Sequence, residues 1–352
     1  MNVLYFGSVQ GSTCAQYYFT AMAKLGLTVL PFDPEYYRTG SFMGKVATKL
    51  LKGPTQAKQR HVAESLKQLC AKNQFDVVFV MAENFLHYCT INEIRKSNPK
   101  PPLFVYHSHD NNYSDGICKP KDFFETLASY DFAFTTKSQN VSRYQKDGQK
   151  RAHFIPSAFE PSVHRPIQPA ESRFKEGHFE IGFVGTYDQS RIQPLAVLGW
   201  EHLHVWGSNW EKYPHFIQNR KRITPNPIYY LEFADVISHT QVSLGLLREE
   251  AEDRHTQRTF EIPACGSLQL CPRNDEILRF FREDQEIVCY ETLDEMKDKA
   301  EFYLKHPKQR DAIAKAGLAK CLNGGHSYQD RVSTMFRIIE AFQSGETIEV
   351  AS

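Results

Sequence analysis

The sequence predicts an α/β protein made of two doubly wound halves. Short apolar strands alternate with helical segments, this alternation runs twice along the chain, and a proline-rich stretch separates the two runs. The chain has 352 residues, 41% of them hydrophobic and 24% charged, an ordinary globular composition for two domains of roughly 150 residues each. We therefore expect a parallel sheet covered by helices in each half.

The first half opens with a buried strand at 3–6 and a helix at 14–25, which Gly26 is expected to end. Each strand is a short apolar run, as in strands that are buried on both faces of a parallel sheet. The other predicted elements of this half are strands at 27–32, 76–81, 103–106 and 132–136 and a polar helix at 58–72.

A linker is predicted between the halves, where 155–169 contains Pro156, Pro161, Pro166 and Pro169. The pattern then restarts, with strands predicted at 179–184, 203–206, 234–236, 242–246 and 268–270 and helices around 256–265 and at 293–305, 307–321 and 327–343. We expect an N-terminal domain at 1–165, a second domain at 166–326 and a terminal helix at 327–352 that packs back on the first domain.

The charge balance argues against a polyanionic partner. The chain carries 42 basic and 41 acidic residues, whereas proteins that hold nucleic acid through its phosphates usually show a basic excess, so a nucleic acid partner is not expected. The eight cysteines form no C-x-x-C pair, which fits a reducing compartment. No run approaches about 18 apolar residues and the first residues lack a signal-peptide pattern, so we expect a cytoplasmic protein without an integral membrane segment.

Two strand ends in the second half suit a nucleotide diphosphate, because open α/β sheets bind ligands at the carboxyl ends of their strands. Gly185 and Thr186 follow one strand and lead to Arg191, so a backbone N–H and a guanidinium can both meet a phosphate. Trp206 and Gly207 end another strand and could form a shelf for the base. The alternatives are a tight turn with a surface arginine, and a core tryptophan followed by a turn.

A stronger candidate group surrounds Glu261. This residue lies near the start of a short helix that ends at Gly266, eight positions after Asp253. A carboxylate there can accept two hydrogen bonds from a ribose diol, as acidic residues do in dinucleotide sites. Arg258 lies one helical turn before Glu261, so a plain i,i+3 ion pair is the alternative role of both residues.

Several segments of the second half resemble one known family. They are RTFEIPACGSLQL at 258–270, DEILRFFREDQEIVCY at 275–290, YLKHP at 303–307, HSYQDR at 326–331, FVGTYDQSR at 183–191 and VWGSNW at 205–210. These motifs resemble the C-terminal half of the CgeB-like (spore-maturation type) glycosyltransferases. The resemblance covers 179–335 and is weaker over 1–165, where mainly Gly7-Ser8, Tyr130-Asp131 and FIPSAFEP at 154–161 carry it.

The family is similar to the wider GT-B transferases, which implies two Rossmann-like domains facing across a cleft, a C-terminal helix that crosses back, and a nucleotide-sugar donor on the second domain. No metal and no cofactor besides this substrate are implied. By position, Glu261 corresponds to the second glutamate of the Glu-x7-Glu motif, which holds the ribose, and Asp253 replaces the first, which contacts the sugar. That replacement leaves the sugar contact and the stereochemical outcome open. Tyr230 matches a tyrosine before an Ala-Asp dipeptide, and Arg191 and Arg258 would neutralise the diphosphate.

The first half is expected to bind the acceptor. His109 and Asp110 follow a strand, and either could serve as the general base that takes a proton from an acceptor hydroxyl. A metal site with His107, or a polar strand end with helix-capping groups, is the alternative. Other acceptor-side candidates in loops after predicted strands are Gly7, Ser8, Gly11, Ser12 and Glu83.

The sequence thus predicts a glycosyltransferase that moves a sugar from a nucleotide-sugar donor to an unidentified acceptor, which could be a glycan, a lipid-linked compound, a protein or a small molecule. Two alternatives stay open. One is a GT-B-like protein that binds a nucleotide sugar or glycan without catalysis, and the other is a nucleotide-sugar epimerase.

Overall fold

The chain folds into two compact units, each built around one parallel sheet. The computed structural model describes residues 1–9, 14–34, 56–81, 86–114, 122–174 and 179–346. Unit 1 comprises Met1–Pro156 and Val332–Ser352, and unit 2 comprises Ser157–Arg331. The chain therefore passes between the units twice, at 156–157 and at 331–332.

The described part of unit 1 contains a six-stranded sheet in the order β2-β1-β3-β4-β5-β6, with every pairing parallel. The central strand at Val77–Met81 is apolar and buried along its whole length, as is usual for a strand of a parallel sheet that is covered on both faces. The strands are β1 (Asn2–Phe6), β2 (Thr28–Phe32), β3 (Val77–Met81), β4 (Leu103–Ser108), β5 (Phe132–Thr135) and β6 (Ala152–Phe154). The helices are α1 (Cys14–Lys24), α2 (Gln56–Lys72), α3 (Tyr88–Ser97), α4 (Phe123–Ala128) and α5 (Ser138–Lys146).

Unit 2 has a six-stranded parallel sheet in the order β12-β11-β10-β7-β8-β9. The strand order reverses between β7 and β10, and this switch point is where doubly wound sheets bind their ligands. The strands are β7 (Phe179–Val184), β8 (Leu203–Trp206), β9 (Ile223–Thr224), β10 (Thr240–Leu244), β11 (Leu268–Pro272) and β12 (Val288–Tyr290). The helices are α6 (Ile192–Val197), α7 (Phe216–Asn219), α8 (Tyr230–Ser238), α9 (Arg258–Ala264), α10 (Asp275–Phe280), α11 (Leu293–Lys305) and α12 (Pro307–Asn323).

The last helix, α13 (Tyr328–Ser344), begins at the end of unit 2 and continues into unit 1. Within unit 1 its Phe336 ring stacks on Phe79 of β3 at a centroid distance of 6.5 Å. Its Phe342 packs edge-on against Phe132 of β5 at 5.3 Å. These contacts explain why the part of α13 from Val332 onward belongs to unit 1 rather than to unit 2.

Two passages of chain lie side by side where unit 2 begins and ends. Arg331 donates two hydrogen bonds from Nε and Nη2 to the carbonyl of Ser157, at 3.3 and 3.2 Å. Phe159 and Tyr328 add backbone hydrogen bonds, from Phe159 N–H to the His326 carbonyl and from Tyr328 N–H to the Phe159 carbonyl. The start and the end of unit 2 are therefore joined to each other.

One predicted strand proves to be a helix. Residues 234–236, expected as a strand, lie inside α8, whose side chains from Phe233 to Ile237 are buried. A short apolar run fits either a buried strand or a buried helix turn, so its period could not decide between them. Three strands were missed, β6, β9 and β12, and each is only two or three residues long.

Within the described ranges, no helix is both long and apolar enough to cross a lipid bilayer.

Candidate functional site

The candidate site lies at the carboxyl edge of the unit 2 sheet, where β7 and β10 are neighbours. Gly185 follows β7 and Gly245 follows β10, so the two chain segments leave the sheet on either side of the switch point. The segments that follow these strands carry Arg191 and the stretch from Arg248 to Glu261.

The turn after β7 is held close to the end of β8. The Gly185 N–H donates to the Trp206 carbonyl at 2.9 Å, and the Trp210 indole N–H donates to the Gly185 carbonyl at 2.8 Å. Gly207 has a φ of +154°, and a Cβ atom there would lie 2.0 Å from the Gly185 oxygen. Only glycine fits at this position, because any side chain would push the two strand ends apart.

Arg191 is a buried cation. It is 9% exposed, its Nη1 donates to the Thr186 carbonyl at 2.6 Å, and its guanidinium lies 5.2 Å from the centre of the Phe183 ring. Its Nε is buried and makes no hydrogen bond with any described residue. Burial and the nearby charge of Arg248 lower the pKa of Arg191 to about 10, although Asp188 and Asp253 oppose this shift. No carboxylate of the described ranges forms an ion pair with it, and a buried cation of this kind calls for an anionic partner.

Asp253 is paired with Arg248 across a short loop. Its carboxylate Oδ2 lies 3.0 Å from the Arg248 Nε, and the Asp253 N–H donates to the Arg248 carbonyl at 3.1 Å. The Asp253 side chain is buried, whereas the Arg248 side chain is 43% exposed. Asp253 therefore binds one nitrogen of the Arg248 guanidinium, while part of the Arg248 side chain stays accessible to solvent.

Glu261 is held at both carboxylate oxygens. On helix α9 its Oε2 pairs with Arg258, and its Oε1 lies 3.3 Å from the His164 Nε2. Arg258 Nε also donates to the carbonyl of Val184 at the end of β7, at 3.4 Å, and its guanidinium lies 4.2 Å from the centre of the Phe233 ring. The i,i+3 ion pair is thus present, and it lies beside the switch point.

Trp206 and Tyr230 differ in their surroundings. Trp206 is 7% exposed and packs edge-on against Phe179 at 4.9 Å, which favours the alternative of a core tryptophan. Tyr230 is 37% exposed and has a φ of +51°, in the left-handed region that bulky residues rarely adopt. Such strain costs about 1–3 kcal/mol and is often found at ligand sites.

In unit 1, the end of β4 carries two histidines. His107 is fully buried, its Nδ1 lies 3.3 Å from the Phe134 carbonyl, and its Nε2 makes no hydrogen bond within the described residues. Its ring packs edge-on against those of Tyr18 and His109, each at 4.6 Å. Burial, and secondly the charge of His109, lower the pKa of His107 well below its usual value, so this ring is neutral.

His109 and Asp110 directly follow β4, so both predicted bases lie at the carboxyl edge of the first sheet. His109 is half-buried and Asp110 is exposed. Gly7 lies at the same edge, where a Cβ atom would come within 2.9 Å of the Met81 Cγ. Ser8 donates from its hydroxyl to Asp33 at 3.2 Å. Gly11, Ser12 and Glu83 lie outside the described residues.

Among the residues that the structure describes, no three His, Cys, Asp or Glu side chains come together in a group that could hold a metal ion.

Two contributors to this site were missed from the sequence. Arg248 carried a weak signal, since it follows a strand in the same way as Arg191. His164 carried none, because it lies in the proline-rich segment predicted as a linker and meets Glu261 only in the folded protein.

Comparison with known proteins agrees with this arrangement. A family described as glycosyl transferase-like matches residues 189–337. The spore protein CgeB of Bacillus subtilis is 23% identical over 235 residues, which cover 61% of this chain and 68% of that protein. Sucrose-phosphate synthase from Thermosynechococcus elongatus superposes with a TM-score of 0.69 at 12% identity, over 98% of this chain and 100% of that one. HepE from Anabaena, solved with UDP and glucose, gives 0.64 at 8% identity, over 97% and 100%.

The paired sheets and their full-length match to these structures define the GT-B fold, and the family match over unit 2 makes the chain a glycosyltransferase. Within that class it is similar to the CgeB-like glycosyltransferases. The fold class and the enzyme class predicted from the sequence are thereby confirmed.

Proposed function

We propose that this glycosyltransferase takes its sugar from a nucleoside-diphosphate sugar bound at the switch point of unit 2, and that UDP-sugars are the first donors to test. The supporting observation is the buried Arg191 guanidinium, which has no ion-paired carboxylate among the described residues. HepE, which shares the fold, has been solved with UDP and with UDP-glucose, and this supports the choice of base.

The diphosphate would meet three arginines and one backbone amide. The charges of Arg248 and Arg258 both act on Arg191, so the three arginines add positive charge to the same edge of the sheet. The N–H groups of Gly185 and Tyr187 already donate to backbone carbonyls, which leaves the Thr186 N–H for a phosphate oxygen. Each charge-assisted hydrogen bond of this kind contributes about 1.5–3 kcal/mol.

The ribose would lie against Glu261 and the sugar near Asp253. Both carboxylates are buried beside an arginine partner, and the Glu261 carboxylate has more acceptor positions than its two described partners use. A half-buried strand-end histidine in unit 1, His109, is our candidate for the general base, with Asp110 as the alternative.

In the transfer step, the acceptor oxygen forms a bond to the anomeric carbon while the bond from that carbon to the β-phosphate oxygen breaks. The acceptor proton passes to the base, and the nucleoside diphosphate leaves with the negative charge. In this proposal the arginines stabilise that charge as it develops, which is where electrostatic catalysis has its largest effect.

The site assignment is tested by replacing Arg191 with methionine, which keeps the packing on Phe183 and removes the charge. Binding of UDP, GDP, ADP, CMP and dTDP is measured by calorimetry and by thermal stabilisation, with NAD as a control ligand. We expect one nucleoside diphosphate to bind the wild type and to bind Arg191→Met roughly 10- to 150-fold more weakly. The unliganded variant should be no less stable, because a desolvated charge has been removed.

Arg220→Met serves as the matched control. Arg220 is exposed and precedes β9, so it lies at the opposite edge of the same sheet. The proposal is overturned if no nucleoside diphosphate stabilises the wild type, or if Arg191→Met and Arg220→Met bind it equally well. If a nucleoside diphosphate binds, a second assay separates transfer from epimerisation. Transfer releases free nucleoside diphosphate only when an acceptor is present, whereas epimerisation needs no acceptor.

We also keep the expectation that the enzyme works in the cytoplasm. Five cysteines in the described part of the chain are buried thiols outside any disulfide, which supports a reducing compartment.

A further inference from the structure

The segment that opens unit 2 touches the donor site through a buried histidine. His164 is 4% exposed, and its Nδ1 accepts a hydrogen bond from the Glu160 N–H at 2.9 Å. An Nδ1 that accepts cannot carry the proton of a neutral ring, so the proton is on Nε2. That nitrogen lies 3.3 Å from Glu261 Oε1, so the ring proton is on the nitrogen next to the carboxylate.

His164 is fixed by its own loop. The His164 and Val163 N–H groups both donate to the Glu160 carbonyl, and the Glu160 carboxylate accepts from the Ser162 hydroxyl at 2.7 Å. The Phe233 ring packs edge-on against the imidazole at 5.7 Å. Burial lowers the pKa of His164, with Glu261 opposing and Arg258 adding to this shift, so the ring stays a neutral donor.

The two contacts on Glu261 differ in whether an incoming anion would compete with them. Arg258 holds Oε2, but its side chain is 31% exposed, and it belongs to the arginine group that would meet the diphosphate. His164 holds Oε1 and is buried, so its contact does not compete with an anion. When Arg258 turns toward a phosphate, His164 is the contact that continues to hold the plane of the carboxylate.

We propose that His164 is a positioning residue, whose Nε2–H orients the Glu261 carboxylate so that its remaining acceptor positions face the ribose diol of the donor. A carboxylate has about four acceptor positions, and the two described partners leave about two, one for each hydroxyl. This inference rests on the proposed function, because it assumes that a nucleotide binds beside Glu261.

Two variants separate the hydrogen bond from the packing. His164→Phe keeps a flat ring against Phe233 and removes the donor, whereas His164→Gln keeps an N–H donor and removes the ring. The probes are UDP and 2′,3′-dideoxy-UDP, or the corresponding pair for whichever base the wild type selects. Kd is measured by calorimetry, and the melting temperature of each unliganded variant is recorded.

We expect His164→Phe to weaken UDP binding about tenfold and to change dideoxy-UDP binding less than about twofold, because one hydrogen bond to a charged group is lost only where the diol is read. His164→Gln should bind UDP within about threefold of the wild type. In a Glu261→Gln background, His164→Phe should have little further effect, as the two residues act as one unit.

An equal loss of both probes in His164→Phe would assign the histidine a packing role and overturn the inference, as would unchanged UDP binding. Equal binding of UDP and dideoxy-UDP by the wild type would overturn it as well, while leaving diphosphate binding in place. Failure of the wild type to bind any nucleoside diphosphate would instead reject the proposed function itself.

Discussion

The carboxyl edge of the unit 2 sheet carries arginines, whereas that of the unit 1 sheet carries histidines, although the two sheets are built alike. After β7 and β10 in unit 2 come arginines, and one of them is buried with no ion-paired carboxylate in the part of the chain that the structure describes. At the end of β4 in unit 1 come His107 and His109, with the first ring buried and neutral. Both sheets are parallel and doubly wound, so the strand-end segments, not the sheets, set what each edge can bind.

This difference shows how the two halves would divide a transfer reaction. A fixed positive edge suits the anionic leaving group, whereas a histidine edge suits a hydroxyl that must lose a proton near neutral pH. Substitutions at one edge should therefore alter binding of the donor, and substitutions at the other should alter turnover.

The largest effect is expected from His109→Ala in unit 1. Loss of a general base lowers turnover by about 100- to 10,000-fold, while the Kd of the nucleoside diphosphate should change less than about twofold. The measurement is acceptor-dependent release of the nucleoside diphosphate, with Asp110→Asn compared under the same conditions. If Asp110→Asn loses turnover and His109→Ala does not, the base is the aspartate. If neither variant loses turnover, the general base is neither His109 nor Asp110.

A smaller effect is expected from the glycine that brings the strand ends of unit 2 together. Gly207→Ala places a Cβ atom 2.0 Å from the Gly185 carbonyl oxygen, and we expect a loss of about 3 kcal/mol in the free energy of unfolding. Gly26→Ala in unit 1 is the matched control, because Gly26 has a φ of +79° but no atom within 4 Å of the added Cβ.

For Gly26→Ala we expect about 1 kcal/mol, the penalty of a left-handed backbone alone. Urea unfolding followed by far-UV circular dichroism measures both variants. Equal losses would show that the strand ends of unit 2 can separate without cost, and that the turn after β7 is not rigid.

The smallest effect concerns acid stability of unit 2. The His326 ring packs against the rings of Phe260 and Phe281, with centroid distances of 4.9 and 5.8 Å. Burial, together with the charge of Arg331, lowers the pKa of His326 to about 4. An unfolded histidine titrates near 6.5, so between about pH 6.5 and 4 the unfolded chain binds more protons and stability falls as the pH falls. At pH 5 this loss is about 2 kcal/mol.

His326→Phe should remove that part of the acid sensitivity. All three tryptophans, Trp200, Trp206 and Trp210, belong to unit 2, so urea unfolding followed by tryptophan fluorescence at pH 7 and pH 5 reports on this unit. The expected result is a difference between the two pH values that is about 2 kcal/mol smaller in the variant. An unchanged difference would mean that His326 is protonated in the folded protein.

The alternation of strands and helices was readable from the sequence because it depends on local pattern. The strands of both sheets that exceed three residues were predicted, and the spacing of Arg258 and Glu261 correctly indicated a pair on one helix face. The helix at 230–238 was mistaken in part for a strand, since a brief apolar run has no distinguishable period.

Contacts between distant parts of the chain could not be read in this way. His164 meets Glu261, and His255 accepts a hydrogen bond from the Ser157 N–H at 2.9 Å, yet nothing in either local sequence indicates a partner. The burial of Trp206 is likewise a property of the packed unit. The roles of Glu261, Asp253 and the arginines in donor binding stay predictions.

The joined ends of unit 2 have a topological consequence. Since Arg331 holds the Ser157 carbonyl, the chain enters and leaves this unit at one place, as in a guest domain inserted into a host. Such an insertion costs the folding of the host little loop-closure entropy, because the first and last residues of the inserted unit lie close together. Unit 2 is therefore arranged as an inserted module, and its replacement by another module would leave the two connections to unit 1 in the same place.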